Sequence, residues 1–174
     1  MFTEPVKNLK AFGLRDDMVV ADLGAGTGFY TIPAGFMVPR GKVYAVEIQK
    51  DYLVTLKNKV VEANLHNVEI FWGNIEKLGG TKIRDKVVDA VIASNILFQV
   101  VDKEKFIEEI NRILKPGGRV LLIDWSSWIS IVSAGSKKSV SKDEARKMFE
   151  EKGFIFEREI NTGAHHYGII LIKK

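Results

Sequence analysis

The sequence predicts an α/β fold, with a mostly parallel sheet that helices cover on both faces. Strand-like and helix-like segments alternate along the chain, and the strand-like runs are almost continuously apolar, as in strands that are buried on both faces. The last two predicted strands are joined only by residues 161–164, which is too short for a crossover helix, so they form an antiparallel hairpin at one edge. The 174 residues show no internal repeat and predict a single domain, residues 1–174.

The predicted strands share short apolar runs bounded by turn residues, and they cover residues 18–22, 42–47, 68–72, 87–93, 119–124, 154–160 and 165–172. The predicted helices share apolar residues three and four positions apart, and they cover residues 6–12, 29–37, 50–63, 103–114 and 142–152.

Turn and capping residues support these boundaries. Gly13 is a C-cap for the first helix, and Pro33 lies near the start of the second, where a missing N–H costs little. Ser141 followed by Glu144 has the spacing of a capping box. Residues 115–118, Lys-Pro-Gly-Gly, predict a tight turn, and residues 125–140 form the longest stretch without periodicity.

Composition excludes several kinds of chemistry. The chain has no cysteine, which rules out disulfides, thiolate metal sites and thiol catalysis, and its three histidines are too scattered to predict a metal site. The net charge of +4 is small and predicts no nucleic-acid partner. No apolar run of membrane-spanning length and no signal-peptide pattern are present, so we expect no membrane span and a cytoplasmic location.

Three glycines at alternating positions follow the first predicted strand. Gly24, Gly26 and Gly28 allow a ligand to approach the backbone, and the N–H groups of the helix start point toward it. Asp22, just before them, would repel the pyrophosphate of a dinucleotide but suits a ligand with a cationic part. Phe29 stands where the dinucleotide fingerprint requires a glycine, which disfavours an NAD-dependent oxidoreductase.

The ends of the next two strands carry candidate ligand contacts, since the carboxyl ends of parallel strands share one edge. Glu47 can accept hydrogen bonds from the hydroxyl groups of a ribose, and Ile48 can pack on an adenine face. After the third strand, Gly73 precedes Asn74, which can accept from an adenine amino group, and the Ile75 N–H can donate to a ring nitrogen. The alternatives are a solvated carboxylate at 47 and an ordinary turn asparagine at 74.

Ser94 and Asn95 follow the fourth strand, where the reactive end of the ligand would meet its acceptor. They either hold that end and orient the substrate or form a simple strand-to-helix loop.

The chain resembles the class I S-adenosylmethionine-dependent methyltransferases over nearly its whole length. The resemblance rests on Glu47 and on three segments: Val20-Ala21-Asp22-Leu23-Gly24-Ala25-Gly26-Thr27-Gly28, Phe71-Trp72-Gly73-Asn74-Ile75-Glu76-Lys77-Leu78 and Ile113-Leu114-Lys115-Pro116-Gly117-Gly118-Arg119. It implies a Rossmann-like three-layer sandwich with a seven-stranded sheet in the order 3-2-1-4-5-7-6.

Within the class, the chain is similar to the small-molecule branch that includes ubiquinone/menaquinone-biosynthesis and arsenite methyltransferases. Residues 29–31, 41–47 and 164–168 support that branch. Asn74 departs from the aspartate that is usual in the family but keeps an acceptor oxygen. The arsenite enzymes depend on cysteines, so arsenic chemistry is excluded here.

The resemblance implies S-adenosyl-L-methionine as cofactor, S-adenosyl-L-homocysteine as product and a small-molecule methyl acceptor. The cofactor-binding residues that it implies, together with those argued above, are Asp22, Gly24, Ala25, Gly26, Gly28, Tyr30, Glu47, Ile48, Gly73, Asn74, Ile75, Ser94 and Asn95. Asp22 is expected to hold the amino group of the cofactor through the loop or a water, and Tyr30 to lie over its charged methionine end.

No catalytic residue is assigned from sequence, because an activated methyl group needs alignment rather than a triad. Candidates on the substrate side are Tyr30, Asn95, Trp125, Trp128, His165 and His166. The two histidines alternate on a strand, so at most one of them faces the crevice, and either can instead be structural. Alternatives are a methyltransferase of RNA or protein, or a cofactor-binding module without turnover. The acceptor, the methylated atom and the oligomeric state stay open.

Overall fold

A computed structural model describes residues 4–126 and 139–174. The chain builds five helices and seven strands within these ranges. In chain order they are α1 (Pro5–Phe12), β1 (Val19–Leu23), α2 (Thr31–Met37), β2 (Lys42–Glu47), α3 (Lys50–Glu62), β3 (Val68–Trp72), β4 (Val88–Ser94), α4 (Lys103–Ile113), β5 (Leu114–Trp125), α5 (Lys142–Glu151), β6 (Phe154–Ile160) and β7 (His166–Lys173).

All seven strands form one sheet in the order β3-β2-β1-β4-β5-β7-β6, which confirms the predicted order. The first five strands pair in parallel, whereas β7 pairs antiparallel with both β5 and β6. The carboxyl ends of β1 to β5 therefore share one edge with the start of β7. We call this side of the sheet the carboxyl edge.

Helices cover both faces of the sheet. Successive apolar side chains of each strand point to opposite faces, so both faces of the sheet are apolar. On one face, α1 and α2 pack on alternate residues of β1, β4, β5 and β7, and α3 packs beside them on β2 and β3. On the other face, α4 and α5 pack on the intervening residues, with Phe106 and Phe149 fully buried. The three layers confirm the predicted sandwich.

Element ends differ from the sequence prediction by a few residues. Helix α2 begins at Thr31 rather than at residue 29, because residues 25–28 form a turn closed by a Gly28 N–H to Ala25 carbonyl bond. The predicted caps are confirmed: Gly13 ends α1 with φ of 80°, and Ser141 forms a capping box with Glu144 at the start of α5.

The predicted turn at residues 115–118 lies within the bounds of β5. The register with β4 steps from Val88↔Leu114 to Ala90↔Arg119, so the four intervening residues bulge out of the ladder. Trp125, expected in the long loop, ends β5 instead. Residues 127–138 of that loop, which include Trp128, lie outside the described residues.

Candidate active site

A cavity of about 270 Å³ lies at the carboxyl edge, over the ends of β1 to β4. Its walls come from the turn after β1, the end of β2 and the loops after β3 and β4. They include most of the predicted cofactor residues, namely Gly24, Gly26, Glu47, Ile48, Gly73, Asn74, Ile75 and Asn95. The other predicted residues, Asp22, Ala25, Gly28, Tyr30 and Ser94, are not among the residues that line this cavity.

The glycine turn is held open toward the cavity by its backbone conformation. Gly24, Gly26 and Gly28 have φ of 73°, 55° and 91°, a region that favours glycine. The N–H groups of Gly24 and Ala25 both donate to the Val46 carbonyl, at 2.9 and 3.0 Å. A Cβ atom at Gly26 would meet no protein atom within 4 Å, so this is the point where a ligand can approach the turn most closely.

Glu47 is the most buried carboxylate on the cavity wall, with only 6% of the residue exposed. One oxygen accepts from the Gly26 N–H at 2.8 Å, and the other accepts from the N–H groups of Ile48 and Gln49, both at 2.8 Å. These bonds fix the carboxylate against the glycine turn. They leave acceptor capacity for about one hydroxyl donor, because two carboxylate oxygens can accept about four bonds and three are in use. Its contact with a ribose stays a prediction.

The loop after β3 forms the wall opposite the glycine turn. The Asn74 side-chain oxygen accepts from the Glu76 N–H at 2.8 Å, so this residue does stabilise a turn, and one lone pair stays available for a ligand. The Ile75 N–H has no hydrogen-bond partner among residues 4–126 and 139–174. This pairing of a free donor with a nearby acceptor suits an adenine edge, and its role there stays a prediction.

Glu76 joins two walls of the cavity, a role that the sequence did not indicate. Its carboxylate accepts from the N–H groups of Val101 and Asp102, at 2.9 and 2.8 Å. Asp102 is the N-cap of α4, so these bonds link the loop after β3 to the start of that helix. The cavity walls are therefore held at a fixed spacing without any contribution from a ligand.

Glu109 of α4 also stabilises the loop after β3, and the sequence did not indicate this role either. Its buried carboxylate accepts from the N–H groups of Gly79 and Thr81, from the Thr81 hydroxyl at 2.6 Å and from Arg112 at 2.7 Å. Burial alone would raise the pKa of Glu109, but the bonds from Arg112, Thr81 and Gly79 outweigh it and lower that pKa. The Gly80 carbonyl accepts from the Asn74 N–H, so the hydrogen-bond network around Glu109 extends to a residue of the cavity wall.

Asp22 and Tyr30 lie behind the glycine turn, under α2. The Asp22 carboxylate accepts from the Thr31 hydroxyl at 2.5 Å and ties the end of β1 to the start of the helix. The Tyr30 hydroxyl accepts from the Asn8 amide at 2.8 Å, and its ring packs edge-on against Phe29. Both side chains are buried. Their predicted contacts with the methionine end of the cofactor stay predictions.

We expect Asp22 to make stability depend on pH. Burial, and to a smaller extent the negative charge of Glu47, raise its pKa to about 6, against the bond from Thr31. A carboxyl group whose pKa is higher in the folded state stabilises the fold below its unfolded pKa, and this stabilisation is lost as the pH rises through 6. Relative to Asp22→Asn, the wild-type protein should lose on the order of 2–3 kcal/mol of unfolding free energy between pH 4 and 7.

Urea unfolding of both proteins at pH 4 and pH 7 measures this difference. The asparagine can still accept from Thr31, and Asp124, whose pKa burial also raises to about 6, is present in both proteins and cancels. A difference in unfolding free energy that is the same at both pH values would contradict the assignment.

The acceptor-side candidates divide between two places at the carboxyl edge. Asn95 lines the cavity in the left-handed region, with φ of 54°, and its N–H donates to the Ile123 carbonyl at 2.8 Å. Trp125 and His166 lie opposite each other on β5 and β7, with ring centroids 4.1 Å apart. His165 is exposed. The structure thus brings Trp125 and His166 together, and neither of them is among the residues that line the cofactor cavity.

Asp124 is a further buried carboxylate at this edge that the sequence did not single out. It accepts from the N–H groups of Trp125 and Phe98, at 2.7 and 3.2 Å, and so ties the loop after β4 to β5. The signal that could have found it is the one that found Glu47: a carboxylate that ends an apolar strand at the carboxyl edge.

A family model described as "Methyltransferase domain" matches residues 14–153. The chain belongs to this methyltransferase family. It is 29% identical to a SAM-dependent methyltransferase from Aquifex aeolicus of known structure, with a TM-score of 0.88 over 98% of this chain and 90% of that one.

The chain is also similar to two curated methyltransferases over part of their length. The ubiquinone/menaquinone biosynthesis C-methyltransferase UbiE of Escherichia fergusonii is 34% identical over 66% of this chain and 45% of its own length. The arsenite methyltransferase of Halobacterium salinarum is 31% identical over 67% of this chain and 30% of its own length. The chain therefore spans less than half the length of these two relatives.

The chain thus belongs to the S-adenosylmethionine-dependent methyltransferases, and S-adenosyl-L-methionine is the cofactor that its family implies. The cavity fits that cofactor: it combines a glycine turn open at Gly26, the fixed Glu47 carboxylate and the free Ile75 N–H. The described residues hold no group of three or more histidine, aspartate or glutamate side chains placed to bind a metal ion. No helix within the described ranges has the length and apolar character that crossing a bilayer requires.

Proposed function

We propose that this methyltransferase transfers the methyl group of S-adenosylmethionine to a small-molecule acceptor. The observation that carries the proposal is the open face of Gly26, with the Glu47 carboxylate bonded to its N–H at the cavity wall. The names of the two curated relatives support a small acceptor, since one is a C-methyltransferase of ubiquinone/menaquinone biosynthesis and the other acts on arsenite.

The roles of individual residues follow from their bonding capacity. Glu47 accepts a hydrogen bond from a ribose hydroxyl of the cofactor, and Asn74 with the Ile75 N–H binds the adenine edge. Ile48, half of which is exposed beside the cavity, packs on the adenine face. Gly24 and Gly26 admit the cofactor close to the turn. Asn95, fixed by its backbone bond to Ile123, lies where the cavity continues toward the acceptor.

The contribution of the protein to the reaction is mainly alignment. S-adenosylmethionine supplies a methyl group that is already activated on a sulfonium centre. The fixed walls hold the acceptor in line and exclude water, which in well-oriented reactions contributes up to about 7–11 kcal/mol. Glu76 and Glu109 serve this purpose by fixing the loop after β3 before any ligand arrives.

A pair of glycine substitutions tests the cofactor site. Gly26→Ala and Gly117→Ala introduce the same methyl group at two positions with φ of 55° and 74°, and at neither would the Cβ atom meet a protein atom within 4 Å. Both should cost about 1–2 kcal/mol of stability through backbone strain. Only Gly26→Ala, which points its Cβ into the cavity, should weaken S-adenosylmethionine binding in calorimetry, by tenfold or more. Equal affinities in the two variants would remove Gly26 from the site.

The acceptor class is tested with methyl-labelled S-adenosylmethionine and a cell extract split into small molecules, RNA and protein. We expect label in the small-molecule fraction, and much less of it at the same subsaturating cofactor concentration when Gly26→Ala replaces the wild-type chain. Label in RNA or protein would point to a macromolecular acceptor. Cofactor binding without label in any fraction would indicate a binding module without turnover.

A further inference from the structure

Buried polar atoms without a hydrogen-bond partner concentrate at one place in the molecule. Among residues 4–126 and 139–174, such side-chain atoms belong to Ser94, Asn95, Arg119, His166 and Tyr167. All of these except Arg119 lie at the carboxyl edge, at the end of β4 or the start of β7. A buried polar group left without a partner costs about 1–3 kcal/mol, so a cluster of them calls for a ligand that supplies the missing bonds.

The cluster lies directly beside the cofactor cavity. Ser94 pairs with Ile123 in the register of β4 and β5, and Ile123 pairs with Gly168 of β7, two residues after His166. The polar groups therefore flank the end of β5 from both sides. Asn95, which belongs to the cluster, also lines the cofactor cavity. A molecule lying over the end of β5 would reach both the cluster and the cavity.

His166 is the basic group of this cluster. Only 8% of the residue is exposed, neither ring nitrogen has a partner among the described residues, and the Trp125 ring holds the imidazole at a centroid distance of 4.1 Å. Burial lowers the pKa of His166, with a smaller contribution from neighbouring His165, so the ring is neutral near pH 7. A neutral imidazole has one ring nitrogen that can take a proton.

There is room for a small molecule next to this ring. A cavity of about 390 Å³ lies at the same edge and is lined by both His166 and Tyr167, with Ser126 at the end of β5 on its wall. This volume is in the range of small-ligand sites. The end of β5 separates it from the cofactor cavity.

We propose that His166 is the general base of the reaction and that the acceptor is a molecule whose hydroxyl group must lose its proton to be methylated. This inference rests on the proposed methyl transfer. The acceptor oxygen forms a bond to the methyl carbon while the bond between that carbon and the cofactor sulfur breaks. The electron pair of the broken bond stays on sulfur. The hydroxyl proton moves to a ring nitrogen of His166 and leaves afterwards to water. A base has this role only when the acceptor must be deprotonated, which an amine or thioether lone pair does not require.

A pair of probe acceptors separates proton removal from all other effects. Catechol must lose a hydroxyl proton to be methylated, whereas dimethyl sulfide accepts a methyl group on its lone pair. We expect the wild-type protein to methylate catechol from labelled S-adenosylmethionine. His166→Gln should lower the single-turnover rate with catechol by about 100-fold or more and leave the rate with dimethyl sulfide unchanged. His165→Gln, an exposed neighbour, should change neither rate, and cofactor affinity should stay within twofold in all three proteins.

The wild-type protein also tests the proposal without any substitution. Its single-turnover rate with catechol should fall on acidification with an apparent pKa below 6.5. The rate with dimethyl sulfide should stay constant over the same pH range. The titratable and charged groups near His166 are His165, Asp124 and Tyr167, and on the cavity wall Lys142, Asp143 and Glu159. Because His165 has only a small effect on the pKa of His166, His165→Gln should shift this pH dependence little.

Several results would overturn the assignment while leaving the proposed function intact. They are an undiminished catechol rate in His166→Gln, equal losses with both probes, or no catechol methylation by a wild-type protein that binds the cofactor and labels other small molecules. Failure of the wild-type protein to bind S-adenosylmethionine would instead count against the proposed function itself.

Discussion

Replacing Glu47 with alanine is expected to weaken the binding of S-adenosylmethionine by about 1–3 kcal/mol, or roughly 5- to 150-fold. The carboxylate is buried at the cavity wall and is fixed by three backbone N–H groups, so it offers a preorganised acceptor to a ribose hydroxyl. Alanine removes that acceptor and also releases the Gly26 N–H that shapes the turn. Isothermal titration calorimetry of both proteins measures the loss.

Two further variants make this result specific. Glu47→Gln keeps one side-chain oxygen but loses the charge, and its affinity should fall between those of the wild-type protein and the alanine variant. Glu69→Ala removes an exposed carboxylate from neighbouring β3, where it pairs with Lys42 at 3.3 Å, and should leave affinity unchanged. Unchanged affinity in Glu47→Ala would take this residue out of the cofactor site.

Replacing Glu109 with alanine is expected to lower the free energy of unfolding by about 2–4 kcal/mol. Breaking a buried ion pair from one side costs about 3–5 kcal/mol, and the lower range applies here because 17% of the Arg112 side chain is exposed and it keeps its bond to Asp85. The variant also leaves the buried Thr81 N–H and the Thr81 hydroxyl proton without an acceptor, and it removes the partner of the Gly79 N–H nearer the surface. Urea unfolding followed by circular dichroism measures the change.

The neighbouring residue Glu108 provides the matched control. It lies on the same helix and forms an ion pair with Lys152 at 2.9 Å, but its side chain is 46% exposed, so Glu108→Ala should change stability little. Similar losses in the two variants would mean that the buried network does not brace the loop after β3. We also expect Glu109→Ala, where it is folded, to bind the cofactor less tightly, because that loop carries Asn74.

The fold could be predicted almost completely from sequence, because the signals were local and strong. Buried parallel strands are continuous apolar runs, and the short 161–164 connection allowed only a hairpin. The two places where the fold differs from the prediction depend on contacts with other parts of the chain. Helix α2 starts late because the glycine turn uses residues 25–28, and residues 115–118 bulge inside β5 because the strand pairs on both sides of them.

The candidate site could be predicted in part, for a related reason. Glu47, Gly73 and Asn74 end up on one cavity because parallel strands bring their carboxyl ends together. Sequence shows that side chains alternate along a strand but not which helix covers each face, so it could not show that Asp22 of β1 points toward Thr31 of α2. Glu76 and Glu109 were missed because their partners are about 25 to 30 residues distant in the chain and meet them only in the folded state.

Calorimetric titration of the full chain with S-adenosylmethionine, and separately with NAD, tests the central claim most directly. The two ligands share an adenosine, and they differ in whether the neighbouring group is a cationic sulfonium or an anionic pyrophosphate. We predict saturable binding of S-adenosylmethionine at one site per chain and no measurable binding of NAD. The absence of S-adenosylmethionine binding, or binding of NAD with comparable affinity, would contradict the assignment of this cavity.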